Sequence, residues 1–145
     1  MKASPAVVTL STMALCLFAS TGSAHQLKSS DEAFSMCGGG QRVTCVVDGD
    51  TFWFRGEKIR IADIDTPELS PPRCERERKL GLAAKQRLLE ILNSGPLSFM
   101  ATATDEDRFG RKLRIVYRDR RSVGDMLVTE GLAWRWEGSR RSWCE

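Results

Sequence analysis

Apolar residues recur along the chain in two rhythms, and each predicts a different kind of element. Val43-Thr44-Cys45-Val46-Val47 is rich in β-branched residues and stops at the turn dipeptide Asp48-Gly49. Thr51-Phe52-Trp53-Phe54 makes a second strand, bounded by Arg55-Gly56-Glu57. Lys58 to Ile64 alternates apolar and polar positions with period two and makes a third, so these segments form a meander. Asp65-Thr66-Pro67-Glu68 and Pro71-Pro72 then leave the sheet as an irregular loop. From about Glu75 to Asn93 the rhythm changes: Leu80, Ala84, Leu88, Ile91 and Leu92 recur at steps of three and four, which predicts a helix with one apolar face. Gly95-Pro96 ends it. Strands follow near Leu97–Thr104 and Lys112–Tyr117, flanking the loop Asp105–Arg111, and a short helix spans Val123–Glu130 before Gly131.

The fold class expected from this order is α+β, mainly β. It is that of a five-stranded OB-fold barrel with a helix between strands 3 and 4 and a short C-terminal helix. The 145 residues suit one ordinary domain. With 41% hydrophobic and 28% charged residues, the composition excludes a disordered chain or a coiled coil. A net charge of +3 permits a polyanionic partner without marking a dedicated nucleic-acid binder. The single histidine, His25, narrows the chemistry most: sites built on two imidazoles have no ligands, and a Ser-His-Asp triad has almost nowhere to form.

Residues 1–24 read as a secretory signal peptide. Lys2 supplies the positive end, Ala6–Ala19 is largely apolar, and Ser20-Thr21-Gly22-Ser23-Ala24 offers small residues for cleavage. The apolar run is interrupted by Thr9, Ser11 and Thr12 and falls short of the ~20 residues of a spanning helix. Export to the periplasm or the extracellular space is therefore expected, with no stable membrane association after cleavage. Residues 25–41 read as a polar lead-in, and 42–145 as the folded domain. Cleavage removes Cys16 and leaves Cys37, Cys45, Cys74 and Cys144, an even set that suggests two disulfides in an oxidising compartment. No C-x-x-C pair favours zinc. Of the three connectivities, Cys37–Cys45 with Cys74–Cys144 is preferred: the first closes a loop over Gly38-Gly39-Gly40, and the second staples the chain's end to its body.

The candidate chemistry lies at loop edges. Asp48 and Asp50 flank Gly49, and Asp63, Asp65 and Glu68 follow the third strand. Carboxylates brought together repel, and hard oxygen donors suit Ca²⁺, Mg²⁺ or Mn²⁺. An EF-hand loop fails on Phe52 and Trp53 from Asp48, and on Phe109 and Val116 from Asp105, so any cation must be held by separated segments. Arg60 on the third strand and Arg111 after Gly110 carry planar guanidiniums that match phosphate oxygens bidentately. A cation, two such groups and a spare carboxylate are the parts of metal-assisted phosphodiester hydrolysis. Arg60 and Asp65, five residues apart, would face opposite ways on a regular strand, so the strand must bulge or end between them.

Val47-Asp48-Gly49-Asp50-Thr51, Arg60 with Asp65-Thr66-Pro67-Glu68, and Asp107-Arg108-Phe109-Gly110-Arg111 together resemble the staphylococcal nuclease (thermonuclease) family, over roughly Val43 to Ala133. The resemblance implies one Ca²⁺ held by Asp50, Asp65 and the Thr66 backbone carbonyl, with Asp48 acting through water. It implies Glu68 as the base that activates the attacking water, and Arg60 and Arg111 as stabilisers of the charge that builds at phosphorus. It further implies a monomer acting on DNA and RNA, single-stranded or locally melted, to leave 3′-phosphates. Where the family has tyrosine in the third motif this chain has Phe109, and it ends soon after the second helix, at Trp143-Cys144-Glu145. Trp134, Trp136 and Trp143, interleaved with Arg135, Arg140 and Arg141, form an aromatic-basic tail. Phe109, Trp134 and Trp136 are accordingly candidate base-stacking residues, with packing over a barrel end as the competing role for the tail. A non-catalytic OB module binding nucleic acid or protein is the alternative function, and it gives no task to a water-activating Glu68.

Overall fold

The computed structural model describes residues 33–144, so the signal segment, Cys16 and His25 lie outside the described residues. In chain order the elements are β1 (Ser35–Met36), β2 (Cys45–Asp48), β3 (Thr51–Phe54), β4 (Glu57–Ile61), β5 (Ile64–Asp65), α1 (Glu75–Asn93), β6 (Leu97–Glu106), β7 (Lys112–Arg118), β8 (Arg121–Ser122), α2 (Val123–Thr129) and β9 (Trp134–Arg135). The molecule is mainly β with two helices. No helix among the described residues is long and apolar enough to cross a membrane.

The strands read from the hydrophobic pattern are all present as β2, β3, β4, β6 and β7. Antiparallel β2-β3-β4 form the meander, β4 runs parallel to β7, and β6 pairs antiparallel with β7. The sheet follows the order β1-β2-β3-β4-β7-β6, with β8 on β7. The expected closed five-stranded barrel is not found: no strand pairing joins β6 to β1 or β2 among the described residues. The pairing of β6 with β7 becomes irregular between Ala101 and Glu106, which turns the end of β6 out of line. Four two-residue strands that the pattern did not reveal extend or supplement the sheet.

One of these, β1, falls inside the segment read as a lead-in. Phe34 just before it is buried, stacks on Phe54 at 5.7 Å and meets the Phe52 ring edge-on at the same distance. The Asn93 amide receives the Phe34 N–H at 2.8 Å and donates to the Phe34 carbonyl at 3.0 Å, so the end of α1 holds this residue through both backbone groups. The Cys37–Cys45 bond then ties β1 to β2. The second bond, Cys74–Cys144, joins the N-cap of α1 to the tail after β9, and both match the preferred connectivity.

Helix α1 spans the residues its periodicity predicts, and its buried stripe is Glu77, Gly81, Ala84, Leu88, Ile91 and Leu92. The aliphatic part packs with Val46, Phe52, Ile59, Ile61, Ile64, Val116, Val123 and Leu127 in one core. Two glycines bring the helix against the loops that carry the acidic residues. A Cβ at Gly49 would lie 2.7 Å from Ala84 Cβ, and one at Gly81 would lie 2.8 Å from Leu69 Cδ2. The third strand resolves the parity conflict between Arg60 and Asp65. It ends at Ile61, turns through Ala62-Asp63, and restarts as β5 in a separate two-stranded sheet with β9.

Candidate functional site

The β2–β3 turn supplies the first carboxylates. The Asp50 N–H donates to Asp48 Oδ1 at 3.4 Å, an Asx-type contact that curls the turn. Asp50 is buried: its Oδ1 receives the Thr51 hydroxyl at 2.8 Å, and its Oδ2 receives the Thr66 N–H at 3.4 Å. The Thr66 contact links this turn to the segment that follows β5, where Asp65 and Thr66 are also buried.

Arg60, on β4 opposite Thr51, crosses between the two segments. Its Nη1 donates to the carbonyls of Ile61 at 2.8 Å and Ile64 at 3.1 Å. Its Nη2 lies 3.4 Å from Asp50 Oδ2 and 3.6 Å from Asp65 Oδ1. The guanidinium thus fixes the break between β4 and β5 and bridges two buried carboxylates at once. Trp136 lies over it, 5.6 Å from Cζ to the ring centroid.

The electrostatics mark this corner as rich in negative charge. Burial, followed by the charge of neighbouring Asp50, pushes the Asp48 carboxyl up to about 7. Burial and Asp50 push Asp65 up to about 6, with Arg140 and Arg60 pulling the other way. Asp65 Oδ1 accepts no hydrogen bond, although Arg60 and Arg140 lie near it. A buried carboxylate oxygen without a donor, beside further carboxylates, is suited to a hard divalent cation. No group of three or more His, Cys, Asp or Glu side chains among the described residues forms a ready metal cage. Asp50 and Asp65, both reached by Arg60 Nη2, are the buried carboxylates here that could contribute to a cation site.

Glu68, half-buried, is set by residues the sequence did not point out. Its backbone N–H lies 3.5 Å from Glu77 Oε1, and Glu77 Oε2 receives the Arg73 N–H at 2.6 Å. The Arg73 guanidinium also grips Glu77, with Nη2–Oε1 at 2.9 Å, and holds its carboxyl below the usual range. A fully buried Glu77 thereby anchors the loop bearing Glu68 to the first turn of α1. The readable signal was its place on the helical stripe, four residues before Gly81. The Glu68 side chain is paired to Arg140 through Nη1 and Oε1.

Arg111 enters from the turn after β6. Asp107 Oδ1 receives the N–H groups of Phe109 at 2.9 Å and Arg111 at 3.0 Å, while Oδ2 receives Arg111 Nε at 2.7 Å. These contacts shape the turn, aim the arginine, and hold the Asp107 carboxyl low against the effect of its burial. An open depression of about 230 Å³ is lined by Asp48, Asp50, Lys58, Glu68, Phe109, Arg111 and Arg140. A neighbouring one of about 350 Å³ includes Arg60, Phe109, Arg111, Trp136 and Arg140. Phe109, 65% exposed, and Trp136, 40% exposed, are rings at the rim of the site. Trp134 is placed otherwise: it pairs with Asp65 in β9, stacks on buried Trp143 at 5.0 Å, and lines neither depression.

The family model described as "Staphylococcal nuclease homologue" matches residues 58–143, which include Arg60, Asp65, Thr66, Glu68 and Arg111. Endonuclease YncB of Bacillus subtilis is 39% identical over 93 residues, covering 60% of this chain and 43% of that protein. The SPbeta prophage-derived endonuclease YokF of the same organism is 40% identical over 93 residues, 60% of this chain and 31% of its own length. An uncharacterized endonuclease of Haemophilus influenzae is 26% identical over 99 residues, covering 68% and 48%. The chain spans less than half the length of these curated relatives. It belongs to the staphylococcal nuclease homologue family.

Proposed function

We propose that this protein is an exported, Ca²⁺-dependent nuclease that hydrolyses phosphodiester bonds of single-stranded or locally melted DNA and RNA. The observation that carries the reading is the shared depression. Three segments separated in sequence contribute Asp48 and Asp50, Glu68, and Arg111 to one cleft, and Arg60 joins Asp50 to the buried Asp65. A non-catalytic binding module gives no task to a water-activating Glu68 in this cleft. The names of the relatives, two of them endonucleases of Bacillus subtilis, support the same class of reaction.

In this reading Asp50, Asp65 and the Thr66 carbonyl hold the ion, whose chemistry is to neutralise and polarise a phosphate oxygen. Glu68 takes a proton from water as the water oxygen bonds to phosphorus. The bond from phosphorus to the 5′-oxygen then breaks, and that oxygen acquires a proton from solvent, leaving a 3′-phosphate and a 5′-hydroxyl. Arg111, aimed by Asp107, and Arg60, fixed by two carbonyls, present preorganised positive charge where negative charge grows. Lys58 and Arg108 add positive charge near the strand's path, and Phe109 and Trp136 offer faces for bases. Digestion of single-stranded DNA and of RNA, with Ca²⁺ and with a chelator, tests the proposal. The expected result is cleavage with Ca²⁺ alone, and intact substrate in both conditions would overturn it.

A further inference from the structure

The sequence groups Arg140 with the basic residues of a tryptophan-rich tail, but the fold delivers it into the cleft. Its Nη1 pairs with Glu68, and its Nε lies 3.6 Å from Asp65 Oδ1. The two arginines assigned to the reaction, Arg60 and Arg111, have protein partners outside the acidic group. Arg60 is bound to the carbonyls of Ile61 and Ile64, and Arg111 to Asp107. Among the described residues Arg140 meets the two site carboxylates, Asp65 and Glu68, and its side chain is 47% exposed. Of the three, it is the one whose donors a substrate anion can claim without dismantling a turn or a strand end.

Its position is enforced from both sides. Upstream, β9 is paired to β5 at Asp65↔Trp134. Downstream, Trp143 is buried against Trp134, Arg73 Nη2 donates to the Arg141 carbonyl at 3.2 Å, and Cys144 is bonded to Cys74. The segment between these anchors has no regular secondary structure, and the anchors on either side hold its backbone over the cleft.

Resting on the nuclease reading, we propose that Arg140 is a phosphate-binding residue of this cleft. It exchanges Glu68 for a backbone phosphate of single-stranded nucleic acid, and the Cys74–Cys144 bond keeps it within reach. The exchange conserves charge pairing: the guanidinium moves from a carboxylate to a phosphate it matches in geometry, and the Glu68 carboxylate is released as substrate arrives. The tether contributes by limiting where the tail can go, because an ordered arginine loses less freedom on binding.

The test is binding of a labelled single-stranded oligodeoxynucleotide by the full chain, with chelator present so that nothing is cleaved. Arg140→Gln should bind about tenfold more weakly, and its dependence of log K on log salt should be shallower by about 0.7, the loss of one phosphate contact. Arg140→Lys should keep the slope. The Cys74→Ser/Cys144→Ser chain should weaken binding similarly, and adding Arg140→Gln to it should cost little more. Unchanged affinity and slope in Arg140→Gln would overturn the proposal, as would tighter binding, which would make Arg140 a plug. The half-exposed Arg140 keeps that arm decisive whatever the double variant does to folding. Cleavage of the same oligonucleotide by the unaltered protein with Ca²⁺ tests the nuclease reading separately. Cleavage that ignores Arg140→Gln, with binding unaltered, sinks only the present inference. Arg140-dependent binding without cleavage sinks only the nuclease reading.

Discussion

The backbone N–H of Glu68 points at the buried carboxylate of Glu77, 3.5 Å away, and the same carboxylate is clasped by Arg73. Glu77 touches no part of the cleft's opening, yet it sets the path of the loop that carries Glu68. Glu77→Gln keeps the shape but removes the charge that Arg73 and two N–H groups are directed at. We expect it to lower stability by about 2–3 kcal/mol, as for hydrogen bonds to a charged acceptor. Turnover should fall about ten- to hundredfold through misplacement of Glu68. Urea unfolding and steady-state kinetics check both. Full activity in Glu77→Gln would show that the loop holds itself.

The same group has a signature in acid. Arg73 holds the folded-state Glu77 carboxyl below its ordinary value of 4.5, so the folded protein binds that proton more weakly than the unfolded chain. Its contribution to stability is complete above that value and drains away as pH falls through the lower folded one. Stability measured by urea titration from pH 5 down to pH 3 should therefore decline less steeply in Glu77→Gln than in the unaltered protein. Parallel curves would remove Glu77 from the acid response.

Gly49 gives a steric prediction. A Cβ there would sit 2.7 Å from Ala84 Cβ and 3.0 Å from Thr66 Cβ, within the β2–β3 turn that carries Asp48 and Asp50. Gly49→Ala should cost about 1–3 kcal/mol as an overpacked contact and disturb both carboxylates. Ala84→Gly removes the closest clashing atom, so the pair Gly49→Ala/Ala84→Gly should recover part of the melting temperature and activity. Additive losses would mean that the helix does not press on this turn.

Arg60 and Arg111 should separate when each is changed to lysine. Arg60 uses its fork on two carbonyls and two buried carboxylates, so Arg60→Lys should lose both stability and activity. The fork of Arg111 rests on Asp107 at the rim, with Nη2 2.6 Å from Oδ2, and Arg111→Lys should lose at least ~10²-fold in turnover at nearly unchanged melting temperature. Equal thermal shifts in the two variants would contradict the different roles drawn from their partners.

How much of this was legible in the sequence depended on whether a local rule governed the residue. The helix from Glu75 to Asn93 and the hairpin at Asp48-Gly49 obey periodicity and turn chemistry, and they appear where those rules put them. The even count of cysteines was legible, and both bonds are those preferred among the three connectivities. The break between β4 and β5 was visible only as a conflict of parity between Arg60 and Asp65, since the carbonyls that stabilise it are recognised by a side chain and not by a pattern. Phe34 was hidden because one aromatic in a polar stretch has no period, and its partner Asn93 is 59 residues away. Arg140 was named in the basic tail, but its place over Glu68 was not legible, because it depends on the two-residue pairing of β9 with β5, which has no helical or strand rhythm.

Burial and the neighbouring Asp50 raise Asp48 to about 7 and Asp65 to about 6 from an ordinary 3.8, so the folded protein holds these protons more tightly than the unfolded chain does. Their contribution favours folding below the ordinary value and is lost as pH rises through about 6 and 7. With chelator present, the melting temperature should therefore decline from pH 5 to pH 8. A divalent ion held by Asp50 and Asp65 competes with those protons, so added Ca²⁺ should raise the melting temperature more at pH 8 than at pH 5. At a hundredfold excess over its dissociation constant, the stabilisation is about 2.7 kcal/mol. Asp65→Asn should remove most of the Ca²⁺ effect and make the chelator curve shallower, leaving the part that comes from Asp48. A Ca²⁺ shift of the same size at pH 5 and pH 8, or one that survives Asp65→Asn, would place the ion elsewhere on the protein.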